Sequence, residues 1–126
     1  MKAQAVEYKE ASTVCEGWAH YDDSKPGKRP GVLLFTDWTG VGDYAKLRAK
    51  MIVEQFGYAV FCADIYGKGI RPQGPEKCGP EMMKYLTNRP LLRARAKAGL
   101  DELKKIPVVD HSRVAAIGYC LSLIHI

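Results

Sequence analysis

Nothing in the 126-residue chain forms an apolar run long enough to span a bilayer, so no membrane contact is expected. The first residues, Met1-Lys2-Ala3-Gln4-Ala5-Val6-Glu7, lack the apolar core of a secretory signal, which sets a cytoplasmic expectation. The four cysteines, Cys15, Cys62, Cys78 and Cys120, make no C-x-x-C pair and have no histidines at zinc-site spacing. A zinc site is therefore not expected, and disulfides are not anticipated in a cytoplasmic chain. Internal repeats and low-complexity tracts are also missing. So is any base-reading or base-stacking motif, although 19 Lys and Arg against 14 Asp and Glu give a net charge of +5. Much of that excess falls at Arg93, Arg95, Lys97 and Lys104, which without such a motif read as a solvated helix face rather than a nucleic-acid surface.

What is present is one modest domain with 47% apolar and 26% charged residues. Residues 4–9 and 13–21 read as extended, and the turn cluster 22–30 follows, which together predict an antiparallel pair. Gly31-Val32-Leu33-Leu34-Phe35 is a continuous apolar run of the kind buried on both faces of a sheet. Asp43 is placed to cap a helix to about Phe56, with Leu47, Met51 and Ile52 inward and Gly57 as its stop. Tyr58-Ala59-Val60-Phe61-Cys62-Ala63 is a second buried strand, in which Cys62 serves as a small hydrophobe. Residues 66–80, rich in Gly and Pro, read as a long excursion, followed by a short helix over 81–86. Pro90 opens a clearer helix with Leu92, Ala96, Leu100 and Leu103 on its inner face, and Pro107 ends it. Residues 113–117 form the third buried strand. Strands alternating with helices place the chain in the α/β class, with a mostly parallel sheet, an antiparallel start and flanking helices.

Two places could carry chemistry. Gly118-Tyr119-Cys120 follows a hydrophobic strand, as in the first half of a G-x-nucleophile-x-G turn. Such a turn lifts a nucleophile above the sheet, and the next N–H meets a developing oxyanion. The same three residues are equally compatible with a purely structural strand end. The second place, Phe35-Thr36-Asp37-Trp38-Thr39-Gly40, leaves the earlier strand where this architecture supplies its other oxyanion donor. Sites of α/β sheets lie at such carboxyl ends.

Four ordered segments give a resemblance to a family. Residues 33–44 (LLFTDWTGVGDY), 57–67 (GYAVFCADIYG), 88–95 (NRPLLRAR) and 113–120 (RVAAIGYC) resemble dienelactone hydrolases, in the right order across nearly all of 1–120. The resemblance implies the N-terminal half of an α/β-hydrolase fold. It also implies a Cys-His-Asp triad acting on a small-molecule ester or lactone without metal or cofactor. Carried across, Cys120 matches the nucleophile, and the backbone N–H groups of Trp38 and Leu121 match the oxyanion hole. Asp37 matches a carboxylate position that is a glutamate involved in thiol activation in dienelactone hydrolase itself. Tyr66 and Arg71 are candidates for the substrate site, and Asp64 reads as a structural acid at a strand end.

The chain also departs from the pattern. Thr36 stands where relatives often carry His, and Leu121-Ser122 stands where x-Gly is expected. None of His20, His111 and His125 substitutes for the downstream triad histidine. Residues 1–120 are accordingly expected to be a partial domain and 121–126 a non-native tail, since Leu-Ser-Leu-Ile-His-Ile matches read-through of a transposon-end adapter. This chain is expected to be inactive and poorly soluble. Readings from other classes are a non-catalytic remnant or interaction module with the same partial fold, and a thiol redox protein. The oligomeric state is not legible.

Overall fold

The computed structural model describes residues 1–119. Cys120, Leu121 and the rest of the expected tail lie outside the described residues. The elements run β1 (Lys2–Glu10), β2 (Thr13–Tyr21), β3 (Arg29–Phe35), α1 (Asp43–Phe56), β4 (Ala59–Ala63), α2 (Pro75–Leu86), α3 (Arg89–Lys105) and β5 (Val109–Gly118). The five strands form one sheet in the order β1-β2-β4-β3-β5. β1 pairs antiparallel with β2, and β2 with β4; β3 pairs parallel with both β4 and β5. The antiparallel start and the parallel remainder therefore contribute two pairings each, and the flanking helices make the molecule α/β.

Alternation along the central strands sorts the core into two layers. Leu33 and Phe35 of β3 join Ala59, Phe61 and Ala63 of β4 under α3, with Leu92, Ala96 and Leu103. Val32 and Leu34 join Val60 and Cys62 under α1, with Ala45, Ala49 and Val53. Fully buried Phe61, Leu34 and Leu103 each contribute about 1.5–3 kcal/mol by leaving water. Gly99 lets α3 lie close to the sheet, since a Cβ there would come within 2.7 Å of the Ala63 Cβ.

Several local expectations are corrected. α1 buries its small residues against the sheet, which leaves Leu47 53% exposed and Met51 and Ile52 half-buried. Its N-cap is Gly42, while Asp43 sits in the first turn, where a carboxylate suits the positive end of the helix. Gly57 does end the helix in the left-handed conformation, φ 72°. α2 begins at Pro75, earlier than the composition suggested, because Pro75 occupies its tolerant first turn; Pro80 lies inside the helix. On α3, Leu100 is half-buried, and Arg95 is buried rather than part of the solvated face. Among the described residues β5 pairs with β3 alone, and its Ala115 and Ala116 are exposed. No described helix is long and apolar enough to cross a membrane.

Candidate active site

The loop after β3 is built by its own polar residues. Asp37 Oδ1 accepts the Thr39 N–H at 2.9 Å and also the Thr39 hydroxyl, an Asx turn that reverses the chain. The Gly40 N–H closes onto the Asp37 carbonyl at 3.2 Å, and Gly40 holds φ 82°, where a side chain would be strained. Thr36 is buried, and Asp37, Trp38 and Thr39 are half-buried. Among the described residues the Trp38 N–H has no acceptor.

Two side chains from the segment after β4 hold this loop from behind. The Tyr66 hydroxyl donates to the Trp38 carbonyl at 2.8 Å, and Arg71 Nε donates to the Val41 carbonyl at 2.8 Å. Burial pushes the Tyr66 phenol well above its ordinary pKa, so it stays protonated and keeps donating. Arg71 spends its remaining donors on the Gly67, Ile70 and Glu16 carbonyls and pairs with Asp64 at 3.4 Å. Its guanidinium therefore faces the protein's own backbone.

Asp64 is the centre of this arrangement. It is fully buried, accepts the Tyr66 and Gly67 N–H groups on Oδ1 at 3.2 and 3.1 Å, and accepts the Glu16 N–H on Oδ2 at 2.8 Å. A buried carboxylate with a cation and three N–H donors is satisfied, so Asp64 is the structural acid expected at the strand end. Tyr85 of α2 adds a bond from its hydroxyl to the Tyr66 carbonyl at 3.1 Å. Arg95 of α3 pairs with Glu10 at 2.7 Å and donates to the Ile65 carbonyl at 2.6 Å. Tyr66, Asp37, Met82 and Leu86 enclose a pocket of about 20 Å³, room for roughly one water-sized group.

Tyr119, which follows β5, stands beside this loop. Phe35 and Gly118 are partners in the β3–β5 register, and the Tyr119 N–H donates to the Phe35 carbonyl at 3.2 Å. The Tyr119 hydroxyl accepts from Arg48 Nε at 2.9 Å, and the Tyr44 ring meets its ring edge-on at 5.5 Å. Sequence reasoning overlooked Arg48, Tyr44, Tyr85 and the inward turn of Arg95. For Arg95 the signal existed, since it lies three residues after Leu92 on the same helical face.

The other thiols are poor nucleophiles. Cys15, Cys62 and Cys78 are all free and buried. Burial raises each pKa, with Cys62 pushed up to about 12, and the nearby carboxylates of Asp64 and Asp37 further oppose ionisation of Cys15 and Cys78. Among the described residues no group of His, Cys, Asp and Glu is arranged to hold a metal.

The loop after β3, whose Trp38 N–H has no acceptor among the described residues, and the end of β5 at Gly118 lie side by side at the carboxyl ends of parallel strands, where α/β sheets place their sites. The family follows from comparison: the dienelactone hydrolase family model matches residues 17–122, and the chain belongs to that family. It is 35% identical to a solved protein named m3DLH (TM-score 0.91). It is also 35% identical to the dienelactone hydrolase-like promiscuous phosphotriesterase P91 from metagenomic libraries (TM-score 0.90). In both comparisons 98% of this chain is matched and 52% of the other, so the chain spans about half the length of these relatives. A putative dienelactone hydrolase from Klebsiella pneumoniae shares the fold at 15% identity and TM-score 0.67, with 96% of this chain and 51% of that one covered. No curated protein matches the chain.

Proposed function

We propose that this chain carries the nucleophile and oxyanion half of a site that hydrolyses small-molecule esters or lactones. The observation that supports this best is the Phe35–Gly118 register, which makes the Trp38 loop and the turn into Cys120 leave adjacent strands at one level. In this reading the Cys120 thiolate attacks the carbonyl carbon, and the C=O electron pair moves onto oxygen. The N–H groups of Trp38 and Leu121 receive that charge. Collapse expels the alkoxide, which takes up a proton, and water then cleaves the thioester. Asp37 contributes by shaping the turn that frees the Trp38 N–H, since its Oδ1 is already engaged by Thr39. Tyr66 and Arg71 brace the loop, and the Tyr66 ring also walls the small pocket beside it.

Turnover requires a base within hydrogen-bond reach of the thiol. His20 pairs with Val60, at the opposite end of β4 from Asp64, and His111 is bonded to the Lys104 carbonyl at 2.7 Å near the start of β5. Neither is beside the two loops, and His125 lies outside the described residues; with no base among the described residues beside the loops, the chain alone is proposed to be inactive in turnover. Incubation with a p-nitrophenyl ester, and in parallel with a phosphotriester, tests this. The expected result is release of no more than one equivalent, with any acyl group on Cys120 by mass spectrometry. Multiple turnovers that Cys120→Ala abolishes contradict the lack of a base, and an acyl group borne by a different residue contradicts the nucleophile.

A further inference from the structure

The segment that leaves β4, Asp64-Ile65-Tyr66-Gly67, is gripped on two consecutive carbonyls by side chains from two different helices. Arg95 of α3 donates to the Ile65 carbonyl at 2.6 Å, and the Tyr85 hydroxyl of α2 donates to the Tyr66 carbonyl at 3.1 Å. The grips are packed against each other. The Arg95 guanidinium lies 5.6 Å from the centre of the Tyr85 ring, and that ring lies 5.4 Å from the Tyr66 ring. All three side chains are buried. Arg95 also pairs with Glu10 at the end of β1 and donates to the Thr13 hydroxyl at the start of β2 at 3.2 Å. A buried Arg–Glu pair is weak evidence for stability, because desolvation offsets the attraction. What a guanidinium adds over an apolar side chain is a fixed fork of donors, which here ties one carbonyl to the β1–β2 hairpin.

We propose that Tyr85 and Arg95 are positioning residues for the Trp38 N–H, which rests on that N–H being an oxyanion donor. They act through Tyr66, whose carbonyl is held by Tyr85, whose N–H is held by Asp64, and whose phenol reaches the Trp38 carbonyl. The peptide between Trp38 and Thr39 is thereby fixed at both ends, its oxygen by Tyr66 and its N–H by Asp37. In the preceding peptide the Asp37 carbonyl accepts from the Gly40 N–H and the Thr36 hydroxyl. Since that peptide is planar and trans, the Trp38 N–H points the opposite way. Misplacing a group that meets the reacting centre by about 1 Å can cost on the order of a hundredfold in rate. Tyr85 and Arg95 hold the far end of the lever that sets this position.

Two reactions of Cys120 in the full chain separate positioning from thiol reactivity. In acylation by p-nitrophenyl acetate the thiolate attacks the carbonyl carbon, the C=O pair moves onto oxygen, and its return expels p-nitrophenolate. In alkylation by iodoacetamide the thiolate bonds to the methylene carbon as iodide leaves, and no carbonyl oxygen takes up the charge. Both rates are scored at Cys120 by mass spectrometry, with circular dichroism confirming the fold of each variant. Tyr85→Phe keeps the ring and removes one donor, and should slow acylation about fivefold; Arg95→Met should slow it about tenfold. Alkylation should stay within about twofold in both, because it needs no oxyanion donor. Val53→Ala, in the core under α1, should lower stability and leave the ratio of the two rates unchanged. A ratio unchanged in Tyr85→Phe overturns the proposal. So does a fall in both reactions alike, or a ratio that Val53→Ala shifts as much. If Arg95→Met does not fold, Tyr85→Phe decides. Alkylation of the unmodified chain at Cys120 without any acylation would be a failure of the hydrolase reading, and amide exchange then judges the positioning. Faster exchange at Thr39 in Tyr85→Phe but not in Val53→Ala supports it, and equal exchange overturns it.

Discussion

The loop after β3 and the residue that follows β5, Tyr119, lie side by side at the ends of neighbouring strands, yet they are held by different means. The β3 loop rests on a buried carboxylate, an arginine that donates to four backbone carbonyls and pairs with that carboxylate, and a phenol that burial keeps protonated. Tyr119 is held by Arg48 and Tyr44 of α1, which are half-buried and 48% exposed. The difference follows from where each sits in the sheet. β3 lies between β4 and β5, so its loop can be gripped from the segment after β4, whereas β5 is paired on one side only among the described residues. In the proposed reaction the Trp38 N–H would meet developing charge, and such a donor works best when fixed beforehand, as the bonds behind the β3 loop fix it.

Substitutions can break the contrast. Arg71→Met strands Asp64 without its cation and should cost about 3 kcal/mol in urea unfolding, the largest effect expected. Tyr66→Phe keeps the ring and removes one hydrogen bond, so about 1 kcal/mol should be lost. Its sharper readout is local: the Thr39 and Gly40 amides should exchange faster while those of β4 do not. Arg48→Met acts on the partly exposed clamp and should cost less than about 1 kcal/mol, with no change at Thr39 or Gly40. If Arg48→Met loosened the β3 loop as much as Tyr66→Phe does, the loop and Tyr119 would be one coupled unit.

Acid should act on the α1 side of the sheet, and this is the smallest expected effect. His20 is buried there, its Nδ1 has no partner, and burial holds its pKa below the ordinary 6.5. Lys50 and Glu54 of α1 are the charges nearest it in effect, with the N-terminus. The unfolded chain takes up the proton first on acidification, so stability is full above about pH 6.5 and falls as the pH drops below it. Urea midpoints at pH 7.5 and 5.5 check this, and His20→Gln should flatten the difference.

Much of the fold was legible because apolar runs and helix stops are local signals. The strands at 31–35 and 58–63 and the stop at Gly57 appear where pattern and turn chemistry placed them. What periodicity misjudged was which apolar face of α1 meets the sheet. Ala45, Ala49 and Val53 allow close packing, and the larger Leu47 stays outside. At the candidate site the loop and the acid Asp64 were visible as motif and strand end. The grip of Tyr66 and Arg71 on Trp38 and Val41 was not, since it joins residues 28 and 30 positions apart and depends on the path of the 66–74 segment.

Mapping thiol reactivity tests the central claim most directly. The folded chain is treated with limiting iodoacetamide at pH 8 and digested, and each cysteine is scored by mass spectrometry. The account predicts rapid label at Cys120 alone, with Cys15, Cys62 and Cys78 modified only after unfolding. Native labelling of any of those three at a comparable rate, or a Cys120 that reacts no faster than they do, would contradict it.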